Sequence, residues 1–158
     1  MYIKEKIAQA GFTLIELLLV IVVIVALAVT VFVSLNPAKR LADARDARRT
    51  ADVDAILTAT HQYIVDNKGA LPAGVSITTE MQLGTAASGC AVTTATCNTA
   101  TNCLDLSTPL AAYLKTIPFD PKSGTTTATL YSIVADSNGI VTVKACGAEN
   151  VPSITSSR

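Results

Sequence analysis

Hydrophobic and polar positions are distributed in blocks. Residues 12–35 are almost wholly apolar, and Glu16 is the one strongly polar side chain among them. At about 1.5 Å per residue, such a run makes a helix of roughly 36 Å, enough to cross a hydrocarbon core of about 30 Å. The run exceeds the roughly 7 to 15 apolar residues of a removable secretory signal, and Asn36-Pro37 and a charged segment follow it. A proline inside a helix removes a backbone bond, so the pattern predicts a bend or short melted stretch at that point. Beyond it, Ala44, Ala47, Ala51 and Ala55 form one stripe and Val53, Ile56, Leu57, Thr60 and Ile64 an adjoining one, at the spacing of an amphipathic helix expected to clasp a sheet. Lys68-Gly69, then Pro72, supplies the stop.

The remainder alternates at shorter range. Residues 75–79 read as the start of a strand, 85–108 as a small-residue loop, and 110–114 as a helical turn. Residues 128–135 and 140–145 are β-rich runs joined by Asp136-Ser137-Asn138-Gly139, a hairpin turn. The predicted fold class is α+β: a long N-terminal helix, its first half transmembrane and its second amphipathic, packed on a small antiparallel sheet. The organisation divides into a leader at 1–11, a filament-core or spanning helix at 12–36, its continuation at 37–68 and a globular head at 69–158.

Charge changes this picture little. Twelve Lys and Arg balance twelve Asp and Glu, so net charge draws the chain to neither nucleic acid nor anionic lipid. Within residues 39–54, Lys39 with Asp43, Arg48 with Asp52 and Asp46 with Arg49 stand at i,i+4 or i,i+3, the pattern of a solvated face; pairing between subunits is the functional alternative. The interleaved aspartates argue against phosphate binding. Charge near the span conflicts with compartment. Lys4 and Lys6 precede it, while Lys39, Arg40, Arg45, Arg48 and Arg49 follow, which would place the C-terminus in the cytoplasm. Against this, all four cysteines, Cys90, Cys97, Cys103 and Cys146, lie after the span without a C-x-x-C metal pair, as expected of disulfides outside a reducing compartment. Three pairings are possible. The spacing favours Cys90 with Cys97, closing a tight loop, and Cys103 with Cys146; a zinc site or free thiols are the other readings.

No catalytic set is evident. His61, the single histidine, has no partner motif and reads as a surface or half-buried helix residue. The Asp136 to Asn138 oxygens are a candidate calcium site, against which stands the presence of only one carboxylate. No other cofactor or metal is expected, and the chain reads as the substrate of an enzyme rather than as an enzyme.

The junction Gly11-Phe12-Thr13-Leu14-Ile15-Glu16, after a short leader bearing Lys4 and Lys6 and before an unbroken apolar helix, resembles the processing site of type IV pilins and the related secretion pseudopilins. The resemblance continues through Arg45-Asp46-Ala47-Arg48-Arg49, Ala51-Asp52, Tyr63, Gly69 and Pro72, and through Pro118-Phe119-Asp120-Pro121-Lys122-Ser123-Gly124, similar to a Pro-x-Asp-Pro-x-x-Gly turn but without the usual Trp after Asp-Pro. The Cys-containing middle is unmatched. The resemblance implies cleavage after Gly11 by a prepilin peptidase and methylation of the Phe12 amine. It implies a precursor in the cytoplasmic membrane with its head outside, assembly with itself and other pilins into a surface or periplasm-spanning filament, and an assembly ATPase and inner-membrane platform as partners.

Glu16 carries a physical argument of its own. An ionised group at the centre of a bilayer costs about 2.5 to 3.5 kcal/mol on insertion scales, so such groups are paired or lie near an interface. The ammonium created at Phe12 of a neighbouring, axially displaced subunit would pair with it and set register. Near the helix start, the dipole also favours an anion in the headgroup zone. The alternative reading is a single-pass anchored binding domain that never polymerises.

Overall fold

The computed structural model describes residues 11–158. Residues 1–10, all but the last residue of the expected leader at 1–11 and including Lys4 and Lys6, lie outside the described residues. The chain forms two compact units, one reaching Arg40 and one running from Leu41 to Arg158.

In the first unit, α1 spans Leu14–Leu35 and buries none of its side chains. Among the described residues this is the apolar segment long enough to cross a membrane, with a window of mean hydropathy 3.2. Asn36 ends α1 in the left-handed region, φ 40° and ψ 73°, a conformation that asparagine tolerates better than most residues. Pro37 then opens α2, Pro37–Asp66, at the first helical position, where its missing N–H costs nothing and its fixed φ is suited to a helix. The interruption falls where the sequence places it.

In the second unit, α2 continues to Asp66 and stops through Lys68 and Gly69, both at positive φ, with the Gly69 amide donating to the Ile64 carbonyl at 2.8 Å. The buried positions of α2 include Ala42, Asp46, Arg49, Val53, Ile56, Leu57 and Thr60, a recurrence of three and four residues. The alanine stripe does not face the sheet. Ala44, Ala47, Ala51 and Ala55 are all exposed, because the stripe that packs is set by the large residues Val53, Ile56 and Leu57, and following it back lands on charged residues.

The sheet comprises β1 (Met81–Gln82), β2 (Tyr131–Ala135), β3 (Val141–Ala145) and β4 (Ile154–Ser157), antiparallel and in chain order. The expected hairpin is β2 and β3, closed by the Asp136 amide donating to the Ile140 carbonyl at 3.0 Å, with Gly139 at φ 82°. Two expectations shift. Residues 75–79 form no strand, because the Ser76 hydroxyl accepts from the amides of Thr78 and Thr79 and folds the segment into a turn; the strand comes at Met81. Residues 128–130 also lie outside the ladder, with Leu130 at φ 61°. β4 has no counterpart in the hydropathy pattern, since only Ile154 in it is apolar.

Val141, Val143 and Ala145 alternate inward along β3 and join Ile56, Leu57, Ile133, Leu83 and Leu110 in one core. Ser132, on the opposite face of β2, is buried too, because the loop after β1 covers it. That loop is fastened by two disulfides, and their pairing differs from the one spacing favours. Cys90 joins Cys103 and Cys97 joins Cys146. The segment between Cys90 and Cys103 doubles back: Cys90 and Thr94 amides donate to Thr101 and Cys97 carbonyls at 2.9 and 2.8 Å, and Thr99 to Val92 at 3.0 Å. This hairpin brings Cys103 beside Cys90 and carries Cys97 to its tip, against β2, where its sulfur lies 3.4 Å from the Ser132 hydroxyl.

Non-reducing peptide mapping should therefore recover Cys90 with Cys103 and Cys97 with Cys146. With separations of 13 and 49 residues, loop-closure entropy assigns the two bridges about 3 and about 4 kcal/mol. Thermal unfolding of Cys97→Ala/Cys146→Ala should show the larger loss.

Candidate assembly site and the ionic hub of the head

Gly11, Phe12 and Thr13 precede α1 in non-helical conformation. Thr13 is the N-cap: its hydroxyl accepts from the Glu16 amide at 3.3 Å, while the Glu16 carboxylate accepts from the Thr13 amide at 2.9 Å and the Thr13 hydroxyl at 2.8 Å. This reciprocal pair satisfies amides that a helix start leaves orphaned. It also anchors the Glu16 carboxylate on Thr13, the residue directly after Phe12. Phe12 is exposed, as are all the large apolar side chains of α1. The acid of the apolar run thus stands at its N-terminal end, where the dipole is favourable to an anion.

A second constellation lies in the second unit, Leu41 to Arg158, called the head from here on, and the sequence pattern conceals it. Arg49 is completely buried. Its Nε and Nη2 donate to the two oxygens of Asp120 at 2.5 and 3.2 Å, Nη1 to Asp46 at 2.8 Å and Nη2 to Glu149 at 3.1 Å. Arg45 makes a two-pronged bond to Glu149 at 3.0 and 2.5 Å, and the Lys122 ammonium stands 3.5 Å from it. Three cations, Arg45, Arg49 and Lys122, meet three carboxylates, Asp46, Asp120 and Glu149, so the cluster is neutral. The planar five-donor fork of arginine suits such a site.

Two of the carboxylates, Asp120 and Asp46, also organise backbone. Asp120 accepts from the Lys122 and Ser123 amides at 2.9 and 3.0 Å, building the turn before Gly124. A Cβ at Gly124 would run into the Asp120 amide and the Thr129 carbonyl, which accounts for glycine there. Asp46 accepts from the amides of Glu149 and Asn150 at 3.1 and 2.8 Å. Arg49 therefore clamps α2 to the turn at 120–124 and to the segment after β3. Burial alone would raise the pKa of Asp46 and Asp120, yet these bonds to Arg49 and to amides hold both below the usual carboxylate range. The Arg45 bond takes Glu149 down to about 2.

The charged face of α2 is thus only partly solvated. Arg48 and Asp52 pair at 3.7 Å and Asp46 with Arg49 at 2.8 Å, as their spacing suggests. Asp46 and Arg49 are nevertheless inside the head, where their bonding is intramolecular, and Asp52 accepts from the buried Tyr131 hydroxyl at 2.9 Å. Continuing the 3–4 spacing of Val53, Ile56 and Leu57 backwards reaches Arg49, Asp46 and Ala42, and that is the signal by which the hub could have been found. A smaller cluster joins the far side of the sheet: Glu80 accepts from Ser132 at 2.5 Å and Lys144 at 3.0 Å.

At the hairpin, Asp136 accepts from the Asn138 and Ile140 amides, both at 2.8 Å. Its carboxylate caps the turn, and among the described residues no group of three or more His, Cys, Asp or Glu is placed to hold a metal. His61 is half-buried on α2.

The protein-family model described as Prokaryotic N-terminal methylation motif matches residues 6–32. The chain carries a prepilin-type N-terminal methylation signal. That signal, of the type IV pilin and pseudopilin kind, covers residues 6–32 and so includes Gly11, Phe12 and Glu16. No curated protein and no solved structure matches the chain.

Removing one member of a buried ion cluster leaves the others uncompensated and typically costs about 3 to 5 kcal/mol. Arg49→Met should lower head stability by about that much in thermal unfolding, and Arg49→Lys, which lacks the fork, should recover only part of it. Because Asp46, Asp120 and Glu149 have folded values below their unfolded ones, the stability they contribute is complete above about pH 4 to 5 and drains away as acid reaches the folded values, about 2 for Glu149. Melting midpoints should fall steeply between pH 5 and about 2, and Asp120→Asn should flatten that fall.

Proposed function

We propose that the chain is a structural subunit of a type IV pilus-like filament, a pilin or pseudopilin. The observation that carries this reading is a methylation motif laid over a helix with no buried side chain, in a chain whose second unit has an apolar core of its own. A prepilin peptidase hydrolyses the Gly11–Phe12 peptide bond, the freed Phe12 amine is methylated, and α1 passes from lipid into contact with its own kind.

In this reading the Glu16 carboxylate, already turned towards the start of the helix by Thr13, pairs with the Phe12 ammonium of a neighbouring subunit. An uncompensated charge in an apolar medium is strongly unfavourable, so the pair selects axial register more than it adds stability. Transfer of α1 from lipid to a helix bundle gains far less than transfer from water, because lipid tails are as apolar as leucine. Assembly therefore requires external work, the role of an assembly ATPase acting through an inner-membrane platform. The disulfide-fastened head lies on the oxidising side of the membrane.

Intact-mass and N-terminal analysis of sheared surface filaments should find this chain beginning at methylated Phe12. Glu16→Ala should be inserted and cleaved normally yet give filaments reduced about tenfold or more, since mispaired register is no longer penalised. A stable protein retaining Met1, or a cleaved product that remains a dispersed single-pass anchor, would identify the non-polymerising binding domain instead.

A further inference from the structure

The last strand of the head is open. The amide and carbonyl of Arg158 both bond to Val141, at 3.1 and 2.8 Å. With Val143 opposite Ser156 and Ala145 opposite Ile154, the alternation of an antiparallel ladder turns the backbone groups of Thr155 and Ser157 away from β3. β4 is the end of the sheet order, so among the described residues those groups form an unpaired edge, and an unpaired edge is a template for another strand.

Beside this edge is a groove of about 400 Å³ lined by Thr58, His61, Gln62, Val65 and Asp66 of α2 with Tyr113 and Arg158. Ile154 points into the core, so Arg158, four residues on, shares its face of the sheet. Arg158 follows β4 directly and lines the groove with α2, so the groove adjoins the end of β4, within reach of side chains on a strand added at the usual spacing of about 4.8 Å. Two polar groups there lack partners. His61 Nε2 is buried with no hydrogen bond, alone in this among the described side-chain atoms, and a group of that kind calls for an explanation. Arg158 forms no ion pair among the described residues. Asp66, the acid on the rim, already accepts from the Tyr113 hydroxyl at 2.7 Å.

We propose that the β4 edge and this groove form a docking site for an extended peptide, which adds as a fifth strand and seats a carboxylate-bearing side chain against His61 and Arg158. Backbone bonding supplies affinity and the groove supplies choice of side chain, as in other strand-addition modes. The site belongs wholly to the head and makes no use of α1, so it goes beyond the filament reading.

The test uses the full chain in detergent micelles and an acetylated, amidated hexapeptide that alternates threonine with valine and carries glutamate at its fourth position. Titration followed by NMR should move the amides of Thr155 and Ser157 and the His61 imidazole in a saturable manner. Thr155→Pro removes an N–H that faces away from β3, a change edge strands tolerate, and should weaken binding about tenfold or more; Ser157→Pro replaces it should that variant fail to fold. His61→Phe, and alanine in place of the peptide's glutamate, should each weaken binding several-fold. Absence of saturable binding, or equal binding by both proline variants, would overturn the site. So would self-association through β4 that excludes the peptide, which would make a second copy the occupant. None of these results bears on N-terminal processing.

Discussion

The head depends on one buried cation. Arg49 is fully enclosed and holds Asp46, Asp120 and Glu149 around a single guanidinium. Taking these charges out of water is costly, and their attraction offsets the cost only when every donor and acceptor is matched. Here the matching extends into the backbone, since Asp120 builds its turn and Asp46 fixes the amides of residues 149 and 150. A cluster of this kind contributes little net energy compared with a well-packed apolar core. Its effect is selective: few arrangements of α2, the 120–124 turn and the segment after β3 satisfy it, and each of the others strands a charge.

Such selectivity matters in a head whose apolar contribution is modest. The core draws on a few side chains of α2 and on short strands of two to five residues, and a sheet this small needs fastening. Two disulfides close the loop that covers the outer face of β2, and Glu80 with Ser132 and Lys144 adds a second polar tie on that face. Covalent loop closure acts on the unfolded chain, whereas the ionic hub acts on the folded one, so the two devices operate on different sides of the equilibrium.

The N-terminal unit follows another logic. α1 buries none of its side chains against the described residues, and in an apolar medium a helix of this kind satisfies every backbone group within its own segment. The Thr13 and Glu16 capping pair closes the end at which backbone amides would otherwise be orphaned. Asn36 and Pro37 then let the chain leave one helix and start another without a lost bond at Pro37, because a proline at the first helical position has no amide to satisfy.

Much of this was legible in the residues alone. The apolar run, the Asn36-Pro37 break, the Gly69 stop and the β2–β3 hairpin are local features, dictated by hydropathy, φ restrictions and turn chemistry over a few neighbouring positions. What only the tertiary structure decided is long-range. The hub unites residues 46, 49, 120 and 149, the bridges follow a hairpin in the threonine-rich loop, and polar β4 is a strand because β3 offers it an edge. Charge on a helix looks solvated until a partner about seventy residues away covers it. Cysteine spacing leaves pairing open until the intervening backbone takes a path, and strand propensity says nothing of which neighbour will supply the ladder.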